Sequence, residues 1–125
     1  MDRAALVTGG SSGIGLAIAQ FLRGEGYGLT LVSRTPEKIE AAAAQIGAFS
    51  VVANVADPDD CARAVAEHQQ RFGRLDVLVN SAGVGIGGLV EDLDLKKLDM
   101  QLDINLRGLF LVTQAAIPLL RRAPR

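Results

Sequence analysis

Four short apolar runs alternate with amphipathic stretches along this chain, and that alternation constrains the fold more than any other feature. The runs begin at Ala4, Gly28, Phe49 and Leu75. Gly28-Leu29-Thr30-Leu31-Val32-Ser33 is apolar almost without a break, the pattern of a strand buried on both faces. The stretches between carry helix signals. Thr35-Pro36 and Asp57-Pro58 put a capping residue before a proline at the first helical position, and Gly24 with Gly26, Gly47 and Gly73 supply stops. Strand and helix repeated four times predict a doubly wound α/β fold, parallel strands with helices on both faces. The expected strands cover residues 4–7, 28–33, 49–54 and 75–80, in the order 3-2-1-4. Helices are expected over 13–23, from Pro36 to the stop at Gly47, from Pro58 to the stop at Gly73, and over 98–122 after a short helix or turn at 91–99. The inner stripes expected are Ile14, Ala17, Ile18, Phe21 and Leu22 on the first helix, and Cys61, Val65 and Phe72 on the third. The last helix offers Leu102, Leu106, Leu109, Phe110, Thr113 and Ile117 for packing.

A chain of 125 residues with 49% apolar and 22% charged side chains fits one domain with a real core, residues 1–125 as a single unit. Its net charge of −1 gives no electrostatic case for nucleic acid or for an anionic membrane surface. No window approaches eighteen consecutive apolar residues, and the first residues lack the charged and apolar regions of a secretory signal. The single cysteine, Cys61, cannot form an intrachain disulfide, which leads to an expected cytoplasmic location. The fourth strand, Val77-Leu78-Val79, would be a bare edge without lysine, proline or shortness to protect it, so more sheet or a partner chain is expected beside it.

The chemistry centres on Thr8-Gly9-Gly10-Ser11-Ser12-Gly13-Ile14-Gly15, between the first strand and the first helix. A helix start offers unpaired N–H groups and a positive dipole end, and glycine lets an anion such as a pyrophosphate come close. The hydroxyls of Thr8, Ser11 and Ser12 are placed to bond phosphate oxygens or to cap the helix. A tight structural turn is the competing reading. At the end of the second strand, an acid would bond ribose hydroxyls and repel a 2′-phosphate. Ser33 and Arg34 stand there instead, and a guanidinium pairs with phosphate through charge-assisted bonds, so NADP(H) is expected over NAD(H), which stays possible. Glu37 and Lys38 lie nearby and are assigned no role.

Thr8-Gly9-x-x-x-Gly13-Ile14-Gly15 resembles the cofactor motif of the short-chain dehydrogenase/reductases. Asn80-Ser81-Ala82-Gly83, after the fourth strand, resembles that family's Asn-Asn-Ala-Gly motif, with Ser81 at its second Asn. Asn105, in Asp103-Ile104-Asn105-Leu106, resembles the asparagine of its long packing helix. The resemblance covers the entire chain and implies a Rossmann-type fold and hydride transfer between a nicotinamide cofactor and a small carbonyl or alcohol substrate. It implies cofactor contacts at the glycine loop and at Asn80, Ala82 and Gly83. Asn54 and Val55 stand where the family has an Asp that receives the adenine amino group; the amide carbonyl of Asn54 can accept the same bond without charge. Asn105 is implied to bend its helix and to hold a water in a proton relay, a catalytic role. The long last helix is implied to form a homo-oligomer face.

The family completes its centre with a serine and a Tyr-x-x-x-Lys pair. Here the single tyrosine is Tyr27, with Leu31 four residues on, and it reads as a packing residue. The expectation is that residues 1–125 are the N-terminal, cofactor-binding half of a longer domain and catalyse nothing in isolation. The alternative is a dinucleotide-binding or interaction module without activity. His68 is expected on the outer side of its helix with no metal partners, Cys61 as a small buried residue, and Glu91-Asp92-x-Asp94 as a solvated helix start.

Overall fold

A computed structural model of the chain describes residues 3–124. The strands are β1 (Ala4–Thr8), β2 (Gly28–Ser33), β3 (Phe49–Val52) and β4 (Val77–Asn80). Between them lie α1 (Gly13–Gly24), α2 (Pro36–Ile46) and α3 (Pro58–Phe72). After β4 come α4 (Leu95–Leu102), a π-helical turn at Asp103–Arg107, and α5 (Gly108–Arg122), continuous with one another. The sheet is parallel in the order β3-β2-β1-β4, as expected. The chain steps one way from β1 to β3 and then returns to the other side of β1, which opens a crevice at the carboxyl ends of β1 and β4.

Side chains alternate across the sheet into two apolar layers. Leu6 and Val32 face α3 and α5, where they meet Val51, Cys61, Val65, Val112 and Ala116. Ala5, Val7, Leu29 and Leu31 face α1 and α2, against Ala19, Ile39 and Ala42. Both layers are needed to bury an uninterrupted apolar strand.

Two expected helix stripes are out of phase with what the fold buries. On α1 the sheet takes Gly15 and Ala19, with Leu16 and Leu22 partly covered, whereas Ile14 is 76% and Phe21 68% exposed. On the last helix, Ile104, Gly108, Val112, Ala116 and Leu119 are buried, and Leu102, Leu106, Leu109, Phe110 and Ile117 are exposed. The cause is close approach: a Cβ on Gly108 would lie 2.7 Å from Val55 Cγ2, so only glycine fits against the segment that follows β3. The larger side chains are left on the outer face. The boundaries also differ modestly, with β3 ending at Val52 and β4 starting at Val77.

His68 is the clearest correction. It is fully buried, not on the outer side of α3, and takes the inward position expected of Phe72, which is only half-buried. The carbonyl of Arg74 can only accept, so His68 Nε2–H donates to it at 2.8 Å. Nδ1 is then the acceptor for the Thr30 hydroxyl at 2.7 Å. Burial pushes this imidazole below its ordinary pKa, against the smaller raising effects of the Arg74 carbonyl and Asp76. A neutral, doubly bonded histidine is tolerated inside. Beside this histidine, Asp76 accepts from Ala4 N at 2.9 Å and pairs with Arg74, which holds its carboxyl below the usual range. Tyr27 packs under the Arg3 guanidinium, 4.5 Å from its ring centroid, as a packing residue should.

Candidate functional site

The crevice is built first from glycine geometry. Gly9 has φ +67°, and its N–H donates to the Val32 carbonyl at 2.9 Å, pinning the loop to β2. A Cβ on Gly9 would lie 2.7 Å from the Ser81 carbonyl, and one on Gly15 would lie 2.2 Å from the Gly9 carbonyl. The loop, the start of α1 and the segment after β4 are therefore packed backbone to backbone. Gly13, at φ +58°, has open space around its Cβ position, so its requirement is conformational.

The start of α1 is unlike the other helix starts. Ser12 holds the N-cap position, yet its side chain makes no cap bond, and the first turn carries no acid. In α3, Asp57 accepts from Asp59 N and two further acids follow; in α4, Asp94 accepts from Lys97 N. So the first-turn amides of α1 have no side chain to neutralise them, and they open into a cleft of about 470 Å³. Gly9, Ser11, Ser12, Ile14, Ser33, Arg34, Asn54, Val55, Ala82 and Gly83 line it, together with Lys38, which the sequence argument left without a role. A second cleft of about 490 Å³ shares Arg34, Asn54 and Ile104 with the first and continues past Lys96 and Asp99 on α4.

Several expected site residues have other work. Thr8 is buried, and its hydroxyl accepts from Ser81 N at 3.1 Å and Ala82 N at 3.2 Å while pointing its proton at the Val79 carbonyl, 3.5 Å away. That corrects its reading as a phosphate or capping hydroxyl: it shapes the segment after β4 from beneath. Asn54 Oδ1 accepts from Ala56 N at 3.0 Å in a local turn, which leaves its NH2 without a partner among the described residues. Asn80 donates to Thr113 Oγ1 at 3.1 Å and so ties the end of β4 to α5.

Asn105 sits in the π-helical turn, the widened geometry that lets one helical residue turn out of register. Its amide clasps Val84 from both sides: Oδ1 accepts from Val84 N and Nδ2 donates to the Val84 carbonyl, each at 2.8 Å. A Cβ on Gly83 would come within 3.2 Å of that Oδ1. Asn105 thus positions the glycine-rich segment that closes one side of the cleft. Cys61 is buried, donates to the Val55 carbonyl at 3.2 Å, and has its thiol pushed up to about 11 by burial first and then by Asp60 and Asp57. It takes no part in the cleft.

What the cleft can do is receive an elongated, anionic ligand across the switch point. Its size is that of a small-molecule site, and the exposed amides, hydroxyls and Arg34 match the donor set that a pyrophosphate and a ribose require.

Comparison with known proteins places the fold among dehydrogenases and reductases. Among curated relatives, the 3-oxoacyl-(acyl-carrier-protein) reductase FabG of Staphylococcus aureus is 40% identical over 128 residues, covering 98% of this chain and 52% of that protein. Among solved structures, an alcohol dehydrogenase from the archaeon Thermococcus sibiricus complexed with 5-hydroxy-NADP superposes with a TM-score of 0.92 at 30% identity, over 97% of this chain and 54% of that one. A short-chain dehydrogenase from Burkholderia cenocepacia in complex with NADP gives 0.90 at 37% identity, over 96% and 51%. The chain spans about half the length of the relatives it matches. The family model for short chain dehydrogenases runs over residues 3–125, taking in every element described above, and the chain therefore belongs to the short-chain dehydrogenase family.

Proposed function

We propose that residues 1–125 form the cofactor-binding half of an NADP(H)-dependent oxidoreductase acting on a small carbonyl or alcohol substrate. The observation that carries this reading is the start of α1, uncapped by any side chain and without an acid, opening into the cleft beside Gly9 and Gly13. NADP(H), when bound, supplies or takes up the hydride. The protein's own contribution is binding and orientation. The amides of Gly13, Ile14 and Gly15 with the hydroxyls of Ser11 and Ser12 would receive the pyrophosphate. Ser33 and Arg34 would receive the adenosine ribose and its 2′-phosphate, and Asn54 and Val55 the adenine. Ala82 and Gly83, set in place by Thr8 and Asn105, would form the wall towards the reacting end, with Asn80 tied to α5 just before them at the end of β4. In support, two of the similar solved structures are complexes with NADP or 5-hydroxy-NADP.

The serine and the Tyr-x-x-x-Lys pair of the family are absent from these 125 residues, so the segment alone is expected to bind without turnover. Calorimetric titration with NADPH and NADH tests the reading. Binding of NADPH ahead of NADH is expected, and Arg34→Asp should reverse that order. Unchanged NADPH affinity in Arg34→Asp would make Arg34 a solvated residue, and no binding of either dinucleotide would remove the function. The outer face of the last helix, with Leu106 65% and Phe110 60% exposed, supports a homo-oligomer through α4 and α5. Phe110→Glu should then lower the mass measured by light scattering.

A further inference from the structure

We infer that Lys38 is a second anchor, beside Arg34, for a phosphomonoester on the ribose of the bound dinucleotide, the 2′-phosphate that distinguishes NADP(H) from NAD(H). This rests on the dinucleotide reading above. The first observation is the charge of the cleft. The chain carries 14 acidic and 13 basic residues, yet among the described residues the ionisable side chains lining the cleft are Arg34 and Lys38 alone. Both are exposed, and neither forms an ion pair or side-chain hydrogen bond among the described residues.

The second observation is where Lys38 stands. It is the third residue of α2, inside the first turn, where the helix dipole disfavours a cation. Lys96 and Lys97 stand likewise in the first turn of α4, but there Asp94 caps the turn by accepting from Lys97 N, whereas in α2 the Thr35 side chain makes no cap bond. Thr35, at the N-cap, lines the same cleft beside Lys38, and Glu37 is the one acid of that turn. A phosphomonoester carries about −1.5 to −2 charges at neutral pH, more than one guanidinium balances. Arg34 supplies the planar fork and Lys38 the second positive charge, on a rigid helix one turn away.

The test uses 2′,5′-ADP and 5′-AMP as probes, which differ by that phosphate alone, titrated calorimetrically into the full chain and into Lys38→Ala, Arg34→Ala and the double variant. Lys38→Ala should weaken 2′,5′-ADP about tenfold and leave 5′-AMP unchanged, the loss expected for one charge-assisted contact. The Lys38→Ala loss should shrink when Arg34 is already alanine, because the two share one phosphate. Equal weakening of both probes, or of neither, would overturn the role of Lys38 and leave dinucleotide binding standing. If the unaltered protein binds neither probe, the dinucleotide reading falls and this inference with it. Lys38 is exposed, so thermal unfolding of the variant should match the parent, and a lowered midpoint would make any affinity loss structural and reject the anchor.

Discussion

Replacing Gly15 and Gly13 by alanine separates the two reasons a glycine is needed in this loop. In Gly15→Ala the new methyl would start 2.2 Å from the Gly9 carbonyl oxygen. Ordinary contact begins about 1 Å further out, so the loop and the helix must part by about that much. The loop cannot retreat freely, because Gly9 N–H is bonded to the Val32 carbonyl at 2.9 Å and Gly9 itself abuts Ser81. Overpacking costs about 1–3 kcal/mol, and loosening that hydrogen bond about 1 more, so a loss of roughly 2–4 kcal/mol is expected. For a chain of this size that is a fall in Tm of roughly 8–16 °C. In Gly13→Ala nothing obstructs the methyl. Only the left-handed φ of +58° opposes it, at about 1–2 kcal/mol, partly offset by a stiffer unfolded chain. Urea unfolding followed by circular dichroism compares the two. A Gly15→Ala loss below about 0.5 kcal/mol, or a Gly13→Ala loss larger than that of Gly15→Ala, would refute the close-approach argument.

Other perturbations probe the supports of the site. Because His68 is neutral and its pKa lowered in the fold, its contribution to stability is complete above the unfolded value of 6.5 and is lost as pH falls below it. His68 is the chain's one histidine, so a slope of up to about 1.4 kcal/mol per pH unit beneath pH 6.5 should vanish in His68→Leu. Thr30→Val strips the donor from a buried imidazole nitrogen and should cost about 1–3 kcal/mol in urea denaturation. Asn105→Ala removes both bonds to Val84 and should speed amide exchange at Val84 about tenfold while leaving α3 protected. Cys61, with its thiol near 11, should resist alkylation at pH 8 in the fold and react at once in urea; rapid labelling of the folded chain would contradict its burial.

The sequence alone was enough for the architecture and for the loop. Apolar runs without alternation imply strands covered on both faces, and glycine and proline mark where each helix begins and ends. These are local signals that need no neighbour to be read. The parallel order β3-β2-β1-β4 and the glycine turn between β1 and α1 follow from them, and the motif at Asn80 pointed to the same cleft. Which face of a helix goes inward is a different kind of fact. The larger residues of α1 and α5 pointed to the wrong stripes, since the loop after β1 and the segment after β3 come so close that only glycine fits at positions 15 and 108, which sets the phase of each helix. His68 looked like an outer residue because its two partners are Thr30, on another strand, and a carbonyl beyond the helix end. Thr8 belonged by spacing to the loop, but the return of β4 beside β1 puts two amides over its hydroxyl. Lys38 acquired a place in the site only when α2 was laid along the cleft. Periodicity and turn chemistry are written along the chain, whereas close approach, partnership and the sign of a cleft's charge are made by segments that meet only after folding.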